Sequence, residues 1–316
     1  MIAGDLVDVQ VRTLGEGLWF LATHARGEGD ERAHRALWDA IEAGAPDSLA
    51  AERFPGSLAG TGVSVAELAF DERPNETLVA FAGAGTATGA FNLPLYRAFA
   101  DPFNTAGLVL SASLSQGASF EVHDSLERRK AVFNAPEELY DLLAYIGSPG
   151  RFAVKRVIPR ASNQVAAAAS TDRVAEVGGM SGHQSPLAIV RSEGDLPTVG
   201  EILEPFAMPA FVEGFARGSH IGPWMPVAHN AASPGRFDGP PRAVALGFEV
   251  AGGKFNGPRD LFADSSFDRA REEANHLADV LRRQGPFEPH RLGLDEHEQE
   301  ALPAATARTE SRWTDA

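Results

Sequence analysis

The chain has 316 residues, of which 44% are hydrophobic and 22% charged, a length that allows one large domain or two of ordinary size. That balance suits a chain that buries a core, and it excludes disorder over most of the length. Asp and Glu total 43 against 28 Lys and Arg, a formal charge of −15, so neither nucleic acid nor a membrane is expected as a partner.

No cysteine is present, which removes disulfides, thiolate zinc sites, Fe–S clusters and cysteine nucleophiles together. Asp5 and Asp8 stand where a signal peptide would need a basic start and an apolar run, and no stretch approaches ~18 uninterrupted apolar residues. A cytoplasmic protein is expected. Lysine occurs only at Lys130, Lys155 and Lys254, so nearly all positive charge is arginine.

In chain order, alternating or short apolar runs predict strands at Leu6 to Val11, Leu18 to Thr23, Val63 to Phe70, Leu78 to Ala82, Phe152 to Ile158 and Val244 to Val250. A first helix is predicted after the cap Asp30, with Ala33, Leu37, Ala40 and Ile41 on its apolar face and a stop at Gly44. A second starts at Pro136 and carries Leu139, Leu142, Leu143 and Ile146. The third and longest begins near Ser265 or Ser266, runs through Phe267, Ala270, Ala274, Leu277 and Leu281, and ends at Gly285. Residues 200–242 show little periodicity and read as loops packed over a sheet, while AATARTESRWTDA at the C-terminus shows no apolar face and reads as frayed.

Several segments have the composition of a site. RGSHIGPWMPV (Arg217 to Val227) gathers Arg217, His220 and two glycines in a loop, suited equally to an anion or sugar contact and to a purely structural turn. GRFDGPPR (Gly235 to Arg242) sets Asp238 between two arginines in a rigid turn, where a salt bridge is the simpler reading. GGMSGHQSP (Gly178 to Pro186) places His183 on a glycine-rich turn before a strand. GAGTATGA (Gly83 to Ala90) lacks the Lys-Ser/Thr ending of a phosphate loop, and no GxSxG elbow occurs. His290 and His297 lie among acidic residues in a polar stretch that reads as a solvated face.

Taken together, GAFNLPLYRAFADPFNTAGLV, YDLLAYIGSPGRFAVKRV, GEILEPFAMP, RGSHIGPWMPV, GRFDGPPRAVALGF and RRQGPFEPHRL resemble the bifunctional fructose-1,6-bisphosphate aldolase/phosphatase family of archaea and deep-branching bacteria. The resemblance runs from about Leu14 to Pro303. It implies an α/β fold in one domain over residues 1–304, with stacked sheets flanked by helices (α-β-β-α layers), a 305–316 tail, and assembly as a homo-oligomer, an octamer in the family.

The resemblance also exposes departures. The family carries an N-terminal segment bringing an Asp and a His to magnesium, which has no match in this sequence, and a Gly-Asp-Asp where Gly15, Glu16 and Gly17 stand here. A Gln-Asp ligand segment has no counterpart among Ser48 to Phe54, and an Ala-Asp-Lys becomes Gly83, Ala84 and Gly85. The aldolase loop Tyr-Val-Gly-Lys-Asp-Asp-Pro becomes Met180, Ser181, Gly182, His183, Gln184, Ser185 and Pro186. Imidazole forms no iminium, and methionine moves no proton. Arg217 and Asp238 persist as substrate contacts, while a pocket glutamine aligns with Glu193 and a C-terminal tyrosine with Gln299.

The leading expectation is therefore a repurposed family member performing metal-free acid/base chemistry on a polar, carbonyl-bearing small molecule, without metal or organic cofactor. His183 and Glu193 are its expected catalytic residues, and Arg217, Asp238, His220, Gln184 and Gln299 its substrate contacts. A noncatalytic binding or assembly subunit is the first alternative. A working fructose-1,6-bisphosphate aldolase/phosphatase of gluconeogenesis is the second, ranked last because phosphate ester hydrolysis needs the metal cluster.

Overall fold

A computed structural model describes residues 5–14, 17–44, 54, 56–58, 63–84, 86, 88–171, 185–213, 221–232, 240–283 and 301–316. The first two expected strands form a hairpin, β1 (Asp8–Leu14) against β2 (Gly17–Thr23). Helix α1 (Glu31–Gly44) follows, opened by Asp30, whose carboxylate accepts the N–H groups of Arg32 and Ala33 at 3.0 Å each. Its buried face centres on Trp38, packed with Phe54 and Leu58.

The remaining strands are β3 (Glu76–Ala84), β4 (Ala118–Asp124), β5 (Arg129–Ala135), β6 (Phe152–Pro159), β7 (Ala167–Ala169), β8 (Leu187–Ser192), β9 (Phe211–Glu213), β10 (Ile221–Pro223), β11 (Met225–Pro226), β12 (Arg242–Ala251), β13 (Lys254–Asp260) and β14 (Thr314–Asp315). Ten of them build one sheet in the order β11-β12-β3-β8-β7-β6-β4-β5-β14, with β13 also paired to β12. All described pairings are antiparallel except β11 on β12. The helices after α1 are α2 (Asn92–Ala100), α3 (Gly107–Leu110), α4 (Leu139–Ile146), α5 (Val199–Leu203), α6 (Asp268–Arg283) and α7 (Ala301–Thr309).

β3 is apolar from Leu78 onward because both its faces are buried there. Val79 and Phe81 join the larger core with Leu95 and Phe99 of α2, Leu142 of α4 and Leu302 of α7. Ala80 and Ala82 face the other way, onto Trp19 and Leu21 of the hairpin and Ala274 of α6. The fold is mixed α/β, a large central sheet flanked by helices, with the β1–β2 ribbon lying against one of its faces. No described helix is long and apolar enough to cross a membrane.

Three sequence expectations change. Residues 63–70 form no strand: Val65 joins the Trp38 cluster, Glu67 accepts from His34 at 2.8 Å, and Phe70 lies under Arg191. Their alternation reports two environments and no ladder. The helix expected from Pro136 begins at Leu139, after a turn in which Asn134 N–H donates to the Glu138 carboxylate at 2.8 Å.

The C-terminal residues 305–316 are not frayed. Leu302 and Ala305 of α7 are fully buried, and β14 pairs with β5. Trp313 stacks edge-on against Tyr145 at 5.1 Å and donates its indole N–H to the Tyr145 hydroxyl at 3.2 Å, which also meets Thr309 Oγ1 at 2.6 Å. Trp313→Ala should therefore cost about 3 kcal/mol, the low end for losing a buried aromatic, since Trp313 lies at the sheet edge. Urea unfolding measures it, and an unchanged midpoint would mean that the segment contributes nothing.

Candidate functional site

One end of the central sheet gathers the described residues that flank segments 172–184, 214–220 and 233–239. Gly83, next to last in β3, donates its N–H to Pro186 O at 2.9 Å, and Ala84 lies opposite Arg242, the first residue of β12. Just past β7, the Ser170 hydroxyl accepts Leu187 N–H at 2.9 Å. Met225 N–H reaches Pro241 O at 2.8 Å, and Gly222 of β10 packs so tightly that a Cβ there would fall 2.6 Å from Pro241 Cδ.

Three polar groups stand out here, of which only Arg242 figured in the sequence reading, as a salt-bridge partner in a turn. Thr86, 1% exposed, has a hydroxyl with no hydrogen-bond partner among the described residues. The indole N–H of Trp224 is likewise buried and unpartnered among them, its ring held by Phe91 at 5.0 Å and Phe206 at 5.2 Å. Such groups are satisfied by residues outside the described ones, by a bound polar molecule or by water. Arg242 Nη1 donates to Ala231 O at 2.6 Å, and burial pulls its guanidinium below the usual arginine range. The only sequence signal for the first two was a Thr and a Trp inside glycine-rich strings, which does not reveal an unmet hydrogen bond.

His183, Gln184, Arg217, His220, Asp238 and Gln299 lie outside the described residues, as do Glu16 and Met180. Glu193 is described, and its expected catalytic role does not match its place. It follows β8 at the end opposite Pro186, about 23 Å away at the rise of an extended strand. There it adopts a left-handed φ of 67° in an exposed turn, and its carboxylate accepts Val199 N–H, the first of α5, at 2.9 Å. Its carbonyl accepts from Arg73 at 3.0 Å. Glu193 ties a turn to a helix end.

A magnesium cluster does not fit the described residues at this end. The position aligned with a family carboxylate is Ala84, buried in the β3–β12 ladder, and a side chain at Gly83 would collide with Thr86 Oγ1 at 2.6 Å and Pro186 Cγ at 3.0 Å. Ser185 offers a hydroxyl where a carboxylate is implied. Among the described residues no three His, Asp or Glu side chains form a group able to hold a metal. Magnesium needs oxygen ligands in near-octahedral geometry, with carboxylates as its protein anchors, and the described residues assemble no such group.

The lysines are also displaced. Lys254 opens β13 at the far end of β12, about 30 Å from Arg242. Lys130 lies on β5, four strands and about 19 Å from β8. Lys155, half-buried on β6, is two strands from β8.

The sequence comparisons agree with the fold. The model of the family described as Fructose-1,6-bisphosphatase matches residues 2–314. Proteins named fructose-1,6-bisphosphate aldolase/phosphatase from Moorella thermoacetica (44% identical, 98% of this chain, 84% of that protein) and Ignicoccus hospitalis (45%, 98% and 83%) are close relatives. A third, from Thermococcus kodakarensis, is 45% identical over 98% of this chain and 88% of its own length. The chain belongs to the fructose-1,6-bisphosphate aldolase/phosphatase family.

Proposed function

We propose that the chain is an enzyme acting on fructose 1,6-bisphosphate or on the triose phosphates that combine to form it. The observation that carries this reading is the 44–45% identity spread over 98% of the chain to relatives bearing that name. The Thr86 hydroxyl, without a hydrogen-bond partner among the described residues, and the desolvated Arg242 suit an end of the sheet that receives a polar, anionic molecule. In this reading the protein is cytoplasmic and a homo-oligomer. The test is an assay for phosphate and triose phosphate release from fructose 1,6-bisphosphate, with magnesium supplied or chelated. Magnesium-dependent release above a mock preparation supports the reading, and no release under either condition rejects it.

A second reading is favoured by one observation, the placement of lysine and carboxylate. It keeps the pocket but runs metal-free acid/base chemistry on a carbonyl-bearing molecule, with His183 as acid or base and Arg217 and Asp238 as substrate contacts. Ala84 and Ser185 stand where carboxylates are implied, and no lysine occurs in residues 172–186. Borohydride reduction after incubation with dihydroxyacetone phosphate should leave the intact mass unchanged. Lys155 is the lysine nearest the site, so an adduct there would show that it has taken over imine chemistry and would return the aldolase reaction to the first reading.

A further inference from the structure

Thr86 and Trp224 stand on one face of the sheet at the end already described. Where β11, β12 and β3 run side by side, Pro226 pairs with Ala243 and Ala243 with Gly83. Paired residues share a face and successive residues alternate, so Ala243 and Phe81 enter the larger core while Met225, Ala82 and Val244 face the hairpin. A Cβ on Gly83 would point into the larger core and fall 2.6 Å from Thr86 Oγ1, and Trp224 belongs to that core itself. Arg242, level with Met225 and Ala84, points to the opposite face.

Between the two lies a floor of small residues. Gly83 has no side chain and Ala243 only a methyl, while β11 and β3 are two strand spacings, roughly 10 Å, apart. The wall is aromatic: Phe91 and Phe206, which hold the Trp224 ring, also meet Phe81 at 5.8 and 5.4 Å. Phenyl rings alone would serve that packing. The indole adds an N–H, and Thr86 adds a hydroxyl where valine would have the same shape. Both are at least 98% buried and lack a partner among the described residues, a costly arrangement unless something accepts from them.

We propose that Thr86 and Trp224 are specificity-determining contacts, which take an uncharged carbonyl or hydroxyl oxygen of the ligand. The inference rests on the reading that the ligand is fructose 1,6-bisphosphate or a triose phosphate, and it names the part recognised here. An indole N–H only donates, so the oxygen it meets must accept. Both donors are neutral. A phosphate drawn into a corner walled by phenyl rings would lose hydration that two neutral donors do not replace, so the ligand's charge belongs on the Arg242 face. A carbonyl or hydroxyl oxygen incurs no such deficit. Selectivity follows, because an analogue without that oxygen leaves both buried donors unpaired.

Calorimetric titration of the full chain with fructose 1,6-bisphosphate, magnesium supplied and again chelated, tests this beside titration with inorganic phosphate. Thr86→Val and Trp224→Phe should each weaken bisphosphate binding about 10-fold, the scale of one lost hydrogen bond. Thr86→Ser, which keeps the hydroxyl, should bind like the parent protein, and inorganic phosphate should not distinguish the variants from it. Without ligand, the thermal midpoint of Thr86→Val should equal or exceed the parent's, because the hydroxyl gains its partner only from the ligand. A lower midpoint would show that the chain itself satisfies the hydroxyl and overturns the proposal. So do variants that bind the bisphosphate like the parent, or that lose bisphosphate and inorganic phosphate alike. A parent protein that binds no bisphosphate in either condition rejects the reading of the ligand as well.

Discussion

Glu76→Ala should destabilise the fold by about 3–5 kcal/mol, the cost of leaving buried charge without its counterion. Glu76 opens β3 with no exposure, and two guanidinium groups grip its carboxylate. Arg73 donates from Nε and Nη2 at 2.9 and 2.8 Å, and Arg191 of β8 donates from Nε and Nη2 at 3.0 and 2.9 Å. Removing the carboxylate leaves two adjacent cations, one of them, Arg191, only 2% exposed and stacked 4.5 Å from the Phe70 ring. Burial alone would raise the Glu76 pKa, but hydrogen bonds from Arg73 and Arg191 outweigh it and hold the group at about 2 against an ordinary 4.5.

That depression fixes the sign of the pH dependence. The carboxylate's contribution is fully present above pH 4.5 and is lost as pH falls towards 2, amounting to about 3 kcal/mol. Urea midpoints for the parent protein should therefore fall across that window, and those of Glu76→Gln should fall less. A Glu76→Ala protein within 1 kcal/mol of the parent would show that Arg191 finds other partners.

How much of this could be read from the residues depended on whether the signal was local. β3, β6 and β12 were legible because apolar runs and alternation follow directly from burial on one or two faces. β4 and β5 escaped although Ala118, Phe120 and Val122 alternate with Ser119, Glu121 and His123. Their connection contains no Gly or Pro. It turns instead on the Asp124 carboxylate, which accepts the N–H groups of Leu126 and Glu127, and on Arg128 at φ 54°. The C-terminal segment was misread because Leu302, Ala305, Thr309 and Trp313 have helical spacing but only two large apolar members, and the Tyr145 partner that holds them is 168 residues away from Trp313.

The site divided along the same line. His183, Arg217 and Asp238 rest on the family resemblance alone, since all three lie outside the described residues. Aligning Glu193 with a pocket glutamine ignored the length of β8, which carries that position to the opposite end of the sheet. Thr86 and Trp224 were invisible for the complementary reason, because a hydrogen bond unmet among the described residues belongs to the packing around a residue and leaves no trace in its identity.

If the acid/base reading proposed above holds, His183→Ala should lower kcat on the true substrate by roughly 10²–10⁴-fold, the scale of losing a general acid or base. His183 stands where the family resemblance implies the Schiff-base lysine, two residues before Ser185 in the segment that enters β8. An imidazole titrates near neutral pH, so it can take a proton from one substrate atom and return it to another without metal or imine. Three measurements separate this role from a structural one. The thermal midpoint of the variant should match the parent, KM should change far less than kcat, and the limb of the pH–rate profile near the histidine pKa should disappear. Unchanged turnover would move the proton transfer to Asp238, because the Glu193 carboxylate is committed to the Val199 N–H at the far end of the strand. Turnover lost together with magnesium, and insensitive to His183, would place the chemistry with the activity named in its relatives and leave the histidine a loop residue.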